Sequence, residues 1–367
     1  MSVVFGRSIE RARLQESVGD MSQVCGIQSF AYDDGPGRGV RALEFRTGSG
    51  LRFVALPDRA MDIAYAEFGG APLCWVSGTG PVAPGFYSPH GWDWLRSFFG
   101  GMLTTCGLSN VGEACEDRGV YLPQEQFGAH GRISNTPARE IGYSAGWDGD
   151  RYLLRANGTM VETAAQGEKL VLRRTIESEM GACAITVSDV VANDCYAPCP
   201  FELLYHINIG YPLLDEGAHI LAHCASVAGL DEASQRGVGS LGRLTGPRPD
   251  APEEVFLLEL VADADGMCSV AFANERFGEG RGLGVALRFP KAALPYFHVW
   301  KRLAQREYVL GFEPGNCTVQ GRVRQRARGD LRHLQPGEKA ASTIEIRVLA
   351  SNEEIAAFAR DNCVAPL

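Results

Sequence analysis

At 367 residues, 45% hydrophobic and 22% charged, the chain has a globular composition and room for one large all-β domain or two ordinary ones. Its net charge of −9, with no long basic stripe, argues against a nucleic-acid partner. No stretch approaches the ~20 apolar residues that span a bilayer, so no membrane partner is expected either.

The opening MSVVFGRSIERARLQESVGDM lacks the apolar run of a signal peptide, which predicts a cytoplasmic protein. The 11 cysteines, odd in number and scattered, read as reduced thiols rather than a disulfide framework. Cys195 and Cys199 lie close together in CYAPC, but no second pair completes a zinc set, so no metal is expected.

In chain order, Ser8–Val18 predicts a short helix and makes residues 1–21 a helical N-terminal extension. Strands follow at Gln23–Tyr32, Arg38–Arg46, Leu51–Leu56 and Ile63–Phe68. Gly78–His90 is a Pro/Gly-rich loop, Trp92–Phe99 an aromatic short helix or irregular segment, and Glu113–Gly131 a long functional loop. Strands resume at Arg139–Trp147, Arg151–Val161, Leu170–Glu179 and Ala184–Asn193. FELLYHINIGYPLL then alternates with period two from Phe201 before Gly210 and Pro212 end it. Ser234–Pro252 reads as a surface loop. Further strands are expected at Val255–Leu260, Met267–Ala273, Gly284–Phe289, Tyr296–Trp300, Tyr308–Glu313 and Ala341–Leu349. Asn352–Asp361 closes the chain as a helix capped by Ser351 or Asn352. No repeat or linker divides this series. It predicts one domain over residues 1–367: an all-β, large antiparallel sandwich with a few short helices and a concave polar face.

Several residues could carry chemistry. His206 and Asn208 share one face of their strand, as a proton-transferring histidine with an asparagine that orients a ligand hydroxyl, or as a buried histidine bonded to a neighbouring carbonyl. Glu313 ends a strand just before Pro314, where a buried carboxylate needs a partner or a task; a surface strand end is the plainer reading. His130 and Arg132 lie in GAHGRISNTP, whose small residues let backbone approach a ligand, unless this is a polar turn. Arg59 and Asp62 in LPDRAMDI could contact a ligand or form a surface ion pair. Asn110 in FGGMLTTCGLSNVG could donate to a sugar hydroxyl, whereas Cys106 reads as an inert thiol. Trp300 and Lys301 in FHVWKR offer a stacking surface and a cation, although most tryptophans are core. No P-loop, GxGxxG, HExxH or GxSxG is present, which disfavours nucleotide-dependent and serine-hydrolase chemistry.

The ordered set His130, His206 and Glu313, carried by AHGR, YHINIGYP and YVLGFEPG, resembles the aldose 1-epimerase (galactose mutarotase) superfamily. The closing LQPGEKAASTIEIRVL is similar to that family's last strand. LPDRAMDI, FGGMLTTCGL, HGRISNTP and YHINIGYPLL together look more like a poorly characterised mutarotase-like branch. This resemblance implies a galactose mutarotase-like supersandwich and a small sugar as partner, with no cofactor and a homodimer left open. It assigns Glu313 as base to the anomeric hydroxyl and His206 as acid to the ring oxygen. His130, Arg132, Arg59, Asp62, Asn208, Asn110, Trp300 and Lys301 would hold the sugar. Arg132 follows Gly131 directly, Ile207 stands where the family has an aromatic residue, and the family's acidic sugar-binding residue is not recognisable. Two alternatives stay open. One is a lyase or epimerase on an acidic sugar, using Arg59, Arg132 and Lys301 to hold a carboxylate. The other is a non-catalytic sugar-binding protein.

Overall fold

The computed structural model describes residues 2–367. Among these, antiparallel strands form sheets of nine, six and five strands together with three two-stranded ribbons. The six-stranded sheet carries the chemistry. Its spatial order is Cys224–Gly229, Glu253–Leu260, Tyr296–Ala304, Glu307–Gly315, Glu202–Gly210 and Thr104–Leu108. Isolated bridges Ile63–Leu103 and Cys74–Ile209 join it to the five-stranded sheet.

The period of two explains why these segments pair. Along Glu202–Gly210, Leu203, Tyr205, Ile207 and Ile209 enter one connected apolar core with Phe297, Val299, Leu310 and Phe312 of the neighbouring strands. Ile176, Ile185 and Val187 of the nine-stranded sheet and Phe45 and Phe53 of the five-stranded sheet complete that core. The intervening residues, His206 and Asn208 among them, are thereby turned to the opposite face.

A buried polar cluster crosses the core. The Arg174 guanidinium bonds Asp189 at 2.7 and 2.9 Å, Asp62 at 2.8 Å and Thr105 Oγ1 at 2.8 Å. The Tyr205 hydroxyl donates to Asp189 at 2.7 Å. Arg174 is held more firmly protonated than usual because the surrounding carboxylates outweigh its burial. The cluster ties the His206 strand and its neighbour Thr104–Leu108 to the opposing sheet.

Elsewhere the local signals give way to tertiary pairing. Residues 1–21 hold a two-stranded ribbon, Ser2–Val4 with Arg7–Ile9, before the helix Arg11–Ser17, which buries only Leu14. The expected loop Glu113–Gly131 contains the hairpin Cys115–Asp117 with Glu125–Phe127. The helix Glu232–Gly237 starts before the expected Ser234–Pro252 loop and runs into it. Strands Ala218–Ala222 and Cys224–Gly229 and the helix Arg322–Arg328 were not legible from periodicity. The closing helix spans Asn352–Asp361, and the Ser351 hydroxyl side chain accepts from Glu354 N–H as its cap.

Candidate active site

The register that pairs Ile207 with Phe312 and Asn208 with Gly311 sets His206 beside Glu313. His206 Nε2 lies 3.1 Å from Glu313 Oε1, with the two side chains only 6% and 3% exposed. Across the other edge of the Glu313 strand, His298 is paired directly with Glu313. One row therefore runs His206, Glu313, His298 over three adjacent strands on the face away from the core. The next row is Asn208, Gly311 and Trp300.

Gly311 has no side chain where two large neighbours do, and this lets the acid–base pair close in over its Cα. A Cβ there would lie 2.8 Å from Glu313 Oε1 and 3.1 Å from His206 Cε1.

Aromatic rings enclose this face. The centroid of Trp300 lies 5.4 Å and that of Phe98 5.1 Å from the His206 ring, and Trp75 meets Trp300 at 6.2 Å. Phe98 and Trp94 arrive on the segment around the short 3-10 helix Asp93–Arg96, where they stack at 4.4 Å. His130 comes from the far side, packed 4.6 Å from Trp94 and 6.3 Å from His206. It adopts a left-handed backbone with φ 54°, and Gly131 follows with φ 69°. That turn is held by His130 N–H donating to the Gly112 carbonyl. A non-glycine residue in this conformation is strained unless its surroundings enforce it, and such strain concentrates at functional sites.

Burial sets the protonation of this group. It pushes the Glu313 carboxyl up to about 8, with the Glu253 carboxylate adding to the effect. It pushes His206 down to about 3, with His130 adding to the effect, and His130 down to about 4. The Glu313–His206 pair is therefore neutral overall near pH 7 and holds one proton, which burial favours on the carboxyl. The Nδ1 atoms of His206 and His130 and Oδ1 of Asn208 are buried without a partner. Such atoms are expensive to leave unmet and suit a ligand rich in hydroxyls.

The structure brings His130, His206, Asn208, Trp300 and Glu313 together. It does not bring Arg59, Asp62, Asn110 and Lys301 to them, and each departure has a physical reason. Arg59 is fully buried, donating to the carbonyls of Ser134, Val82 and Ser97, so it clamps three loop segments and has no free reach. Asp62 is also fully buried and takes Arg174 and Thr105 as partners, so it forms no surface pair with Arg59. Asn110 donates to the carbonyls of Glu113 and Gly128 and secures the loop beneath His130. Lys301 is one residue out of phase with Trp300. It lies on the opposite face, bonded to the Ser240 carbonyl at 2.7 Å and 3.7 Å from Glu254. The charge of Arg132 acts on Tyr87, Glu125 and Glu162.

Cys106 is a buried thiol whose ionisation is pushed well up by burial and then by the Glu313 charge, as an inert cysteine requires. Sequence reasoning missed His298, Trp75, Trp94 and Phe98. For His298 a signal existed, since it stands two residues before Trp300 in FHVWK and so shares its face. The enclosing aromatics carry no such periodicity. Among the described residues, no set of three or more His, Cys, Asp or Glu donors is gathered as a metal site requires.

Comparison with known families places this arrangement. A family model described as Domain of unknown function (DUF4432) matches residues 37–348. The chain belongs to the DUF4432 family. No curated protein sequence matches it. Among solved structures, a provisionally assigned aldose 1-epimerase from Klebsiella pneumoniae superposes with a TM-score of 0.85 at 24% identity, covering 97% of this chain and 90% of that one. A galactose mutarotase-like protein from Clostridium acetobutylicum gives 0.61 at 12% identity, over 89% and 99% of the two chains. The galactose 1-epimerase of Lactobacillus acidophilus gives 0.58 at 11% identity, over 88% and 98%. This DUF4432 chain thus has a galactose mutarotase-like fold. No helix among the described residues is long and apolar enough to cross a membrane.

Proposed function

We propose that the protein is a carbohydrate-acting isomerase, an aldose 1-epimerase that interconverts sugar anomers. The observation that carries this reading is the buried Glu313–His206 pair at 3.1 Å, packed over Gly311 beside Trp300. Ring opening of a cyclic sugar needs a proton removed from the anomeric hydroxyl and one delivered to the ring oxygen. A pair that shares a single proton supplies both ends of that exchange without a net change of charge. Glu313 acts as the base and His206 as the acid once the bound sugar has drawn the proton onto the imidazole. The C1–C2 bond then rotates, and closure on the other face reverses the transfers. Asn208 Oδ1 and the free nitrogens of His130 and His206 hold hydroxyls, and Trp300 covers the sugar's apolar face.

An acidic sugar fits this face poorly. Arg59 and Lys301 are engaged elsewhere, and the charge that bears on Glu313 is the Glu253 carboxylate. The test is NMR anomer exchange with the purified protein on a panel of hexoses, pentoses, deoxy sugars and uronic acids. Faster exchange of one or more neutral sugars is expected. Absence of acceleration on every member of the panel would sink the isomerase reading.

A further inference from the structure

The acid–base row has a third member that the reaction just described leaves idle. His298 is fully buried, and neither of its ring nitrogens makes a well-formed hydrogen bond, the Glu313 backbone being the one group near enough to act on it as a partner. It pairs directly with Glu313 across the strands, on the same face, and stands two residues before Trp300. On the other face of the same strand, Phe297 and Val299 are apolar, as a buried sheet position with no task would be. An imidazole left without a well-formed side-chain partner at such a position is costly and needs a reason. Burial also pushes its titration down to about 4, which keeps it neutral, with one N–H donor and one free acceptor, throughout the neutral range.

His206 already occupies Oε1 of Glu313. We propose that His298 is the positioning residue for Glu313, donating its N–H to the second carboxyl oxygen when that carboxyl ionises and so holding the base in line with the bound sugar. This proposal rests on the acid–base reading of Glu313 above. In the free site the hydrogen bond is unmade, because the protonated carboxyl has no need of it; catalytic contacts of this kind often tighten only with substrate present. The titratable groups that bear on Glu313 come from every neighbouring element. They are His206 and, through it, His130; Cys106; His298 itself; and Glu253, which accepts from Trp300 Nε1 at 2.8 Å. Of these, His298 and the Cys106 thiol are neutral donors, and His298 is the one paired directly across the strands with Glu313.

Two measurements on the full-length protein test this. The first follows the ring ¹⁵N shifts of His298 from pH 5 to 9 without sugar. The proposal expects a step tracking the ionisation of Glu313 near pH 8, lost in Glu313→Gln. A flat His298 signal through that range overturns it. The second compares anomer exchange in His298→Phe and His298→Gln. His298→Phe should lower kcat by at least about tenfold with KM nearly unchanged, the low end for a hydrogen bond to a charged group. It should also move the alkaline limb of the pH profile upward, since the carboxylate loses a donor, and His298→Gln should recover part of both. An unchanged pH profile in His298→Phe also overturns the proposal. If His298→Phe does not fold, the wild-type titration decides alone. Because that titration needs no sugar, a clear His298 step without anomer exchange removes the isomerase reading and leaves the pairing intact.

Discussion

A methyl group at Gly311 would sit 2.8 Å from Glu313 Oε1, 3.1 Å from His206 Cε1 and 3.1 Å from Trp300 Cβ. The first distance is shorter than real Cβ contacts allow, so the carboxyl itself would have to move. Gly311→Ala should therefore lower turnover by about a hundredfold, as misplacement by about an ångström does. Its melting temperature should change less than its turnover, because the atom that must give way is the far end of the Glu313 side chain and not backbone. Glu313→Gln and His206→Asn should each lower anomer exchange by about 10²–10⁴-fold, and the double variant should be far less than multiplicatively worse. A fully active Glu313→Gln protein would remove the mechanism. The pH dependence follows from the shared proton. Activity needs the pair to hold one proton, so kcat/KM should show no limb at the ordinary histidine value of 6.5 and should fall as pH rises through about 8. A profile that loses activity below pH 6.5 would contradict a buried neutral His206.

At the scale of elements, the site's floor is only as fixed as the strands beneath it. Tyr205 and Thr105 flank the row on its core side, and both are bonded into the Arg174 cluster. Arg174, Asp62 and Asp189 are all buried, so removing the cation would strand two carboxylates without compensation. Arg174→Met should then cost about 3–5 kcal/mol, the range for breaking a buried ion pair by deleting one partner. Urea unfolding measures it, and a loss below about 1 kcal/mol would mean that the cluster is not the tie between the sheets. The anomer exchange of the protein that remains folded should be nearly normal, since Arg174 lies on the core side of the strands and not on the site's face.

For the whole molecule, the same buried groups shape stability against pH. Glu313 and Glu202 both titrate at about 8 when folded, against an ordinary 4.5. A raised pKa gives stability that is complete below 4.5 and is lost as pH climbs through 8. His206, His130 and His298 are depressed to about 3, about 4 and about 4 from an ordinary 6.5. Their contribution is complete above 6.5 and is lost as pH falls toward 4. Thermal unfolding should therefore be most resistant near pH 6 to 6.5 and decline on both sides. Glu313→Gln should flatten the decline between pH 6.5 and 8, and a slope unchanged by that substitution would show that its carboxyl is not buried as described.

The sequence by itself determined the alternation. Period two in YHINIGYP and YVLGFEP fixed which residues share a face, and the order His130, His206, Glu313 pointed to a superfamily whose fold the structure displays. It also placed the closing helix and narrowed its cap to Ser351 or Asn352, because capping is a local interaction, and the structure selects Ser351. Tertiary structure decided which polar residues are free. Arg59, Asp62 and Lys301 carry suitable chemistry in suitable motifs, yet their partners lie tens of residues away or farther, and Asn110 is taken up by loop carbonyls, groups that no local pattern reveals. The same non-local register decided His298, whose place beside Glu313 depends on how two strands align. Side-chain period is a property of one strand and can be read along it; the pairing of strands and the satisfaction of buried polar groups belong to the folded core alone.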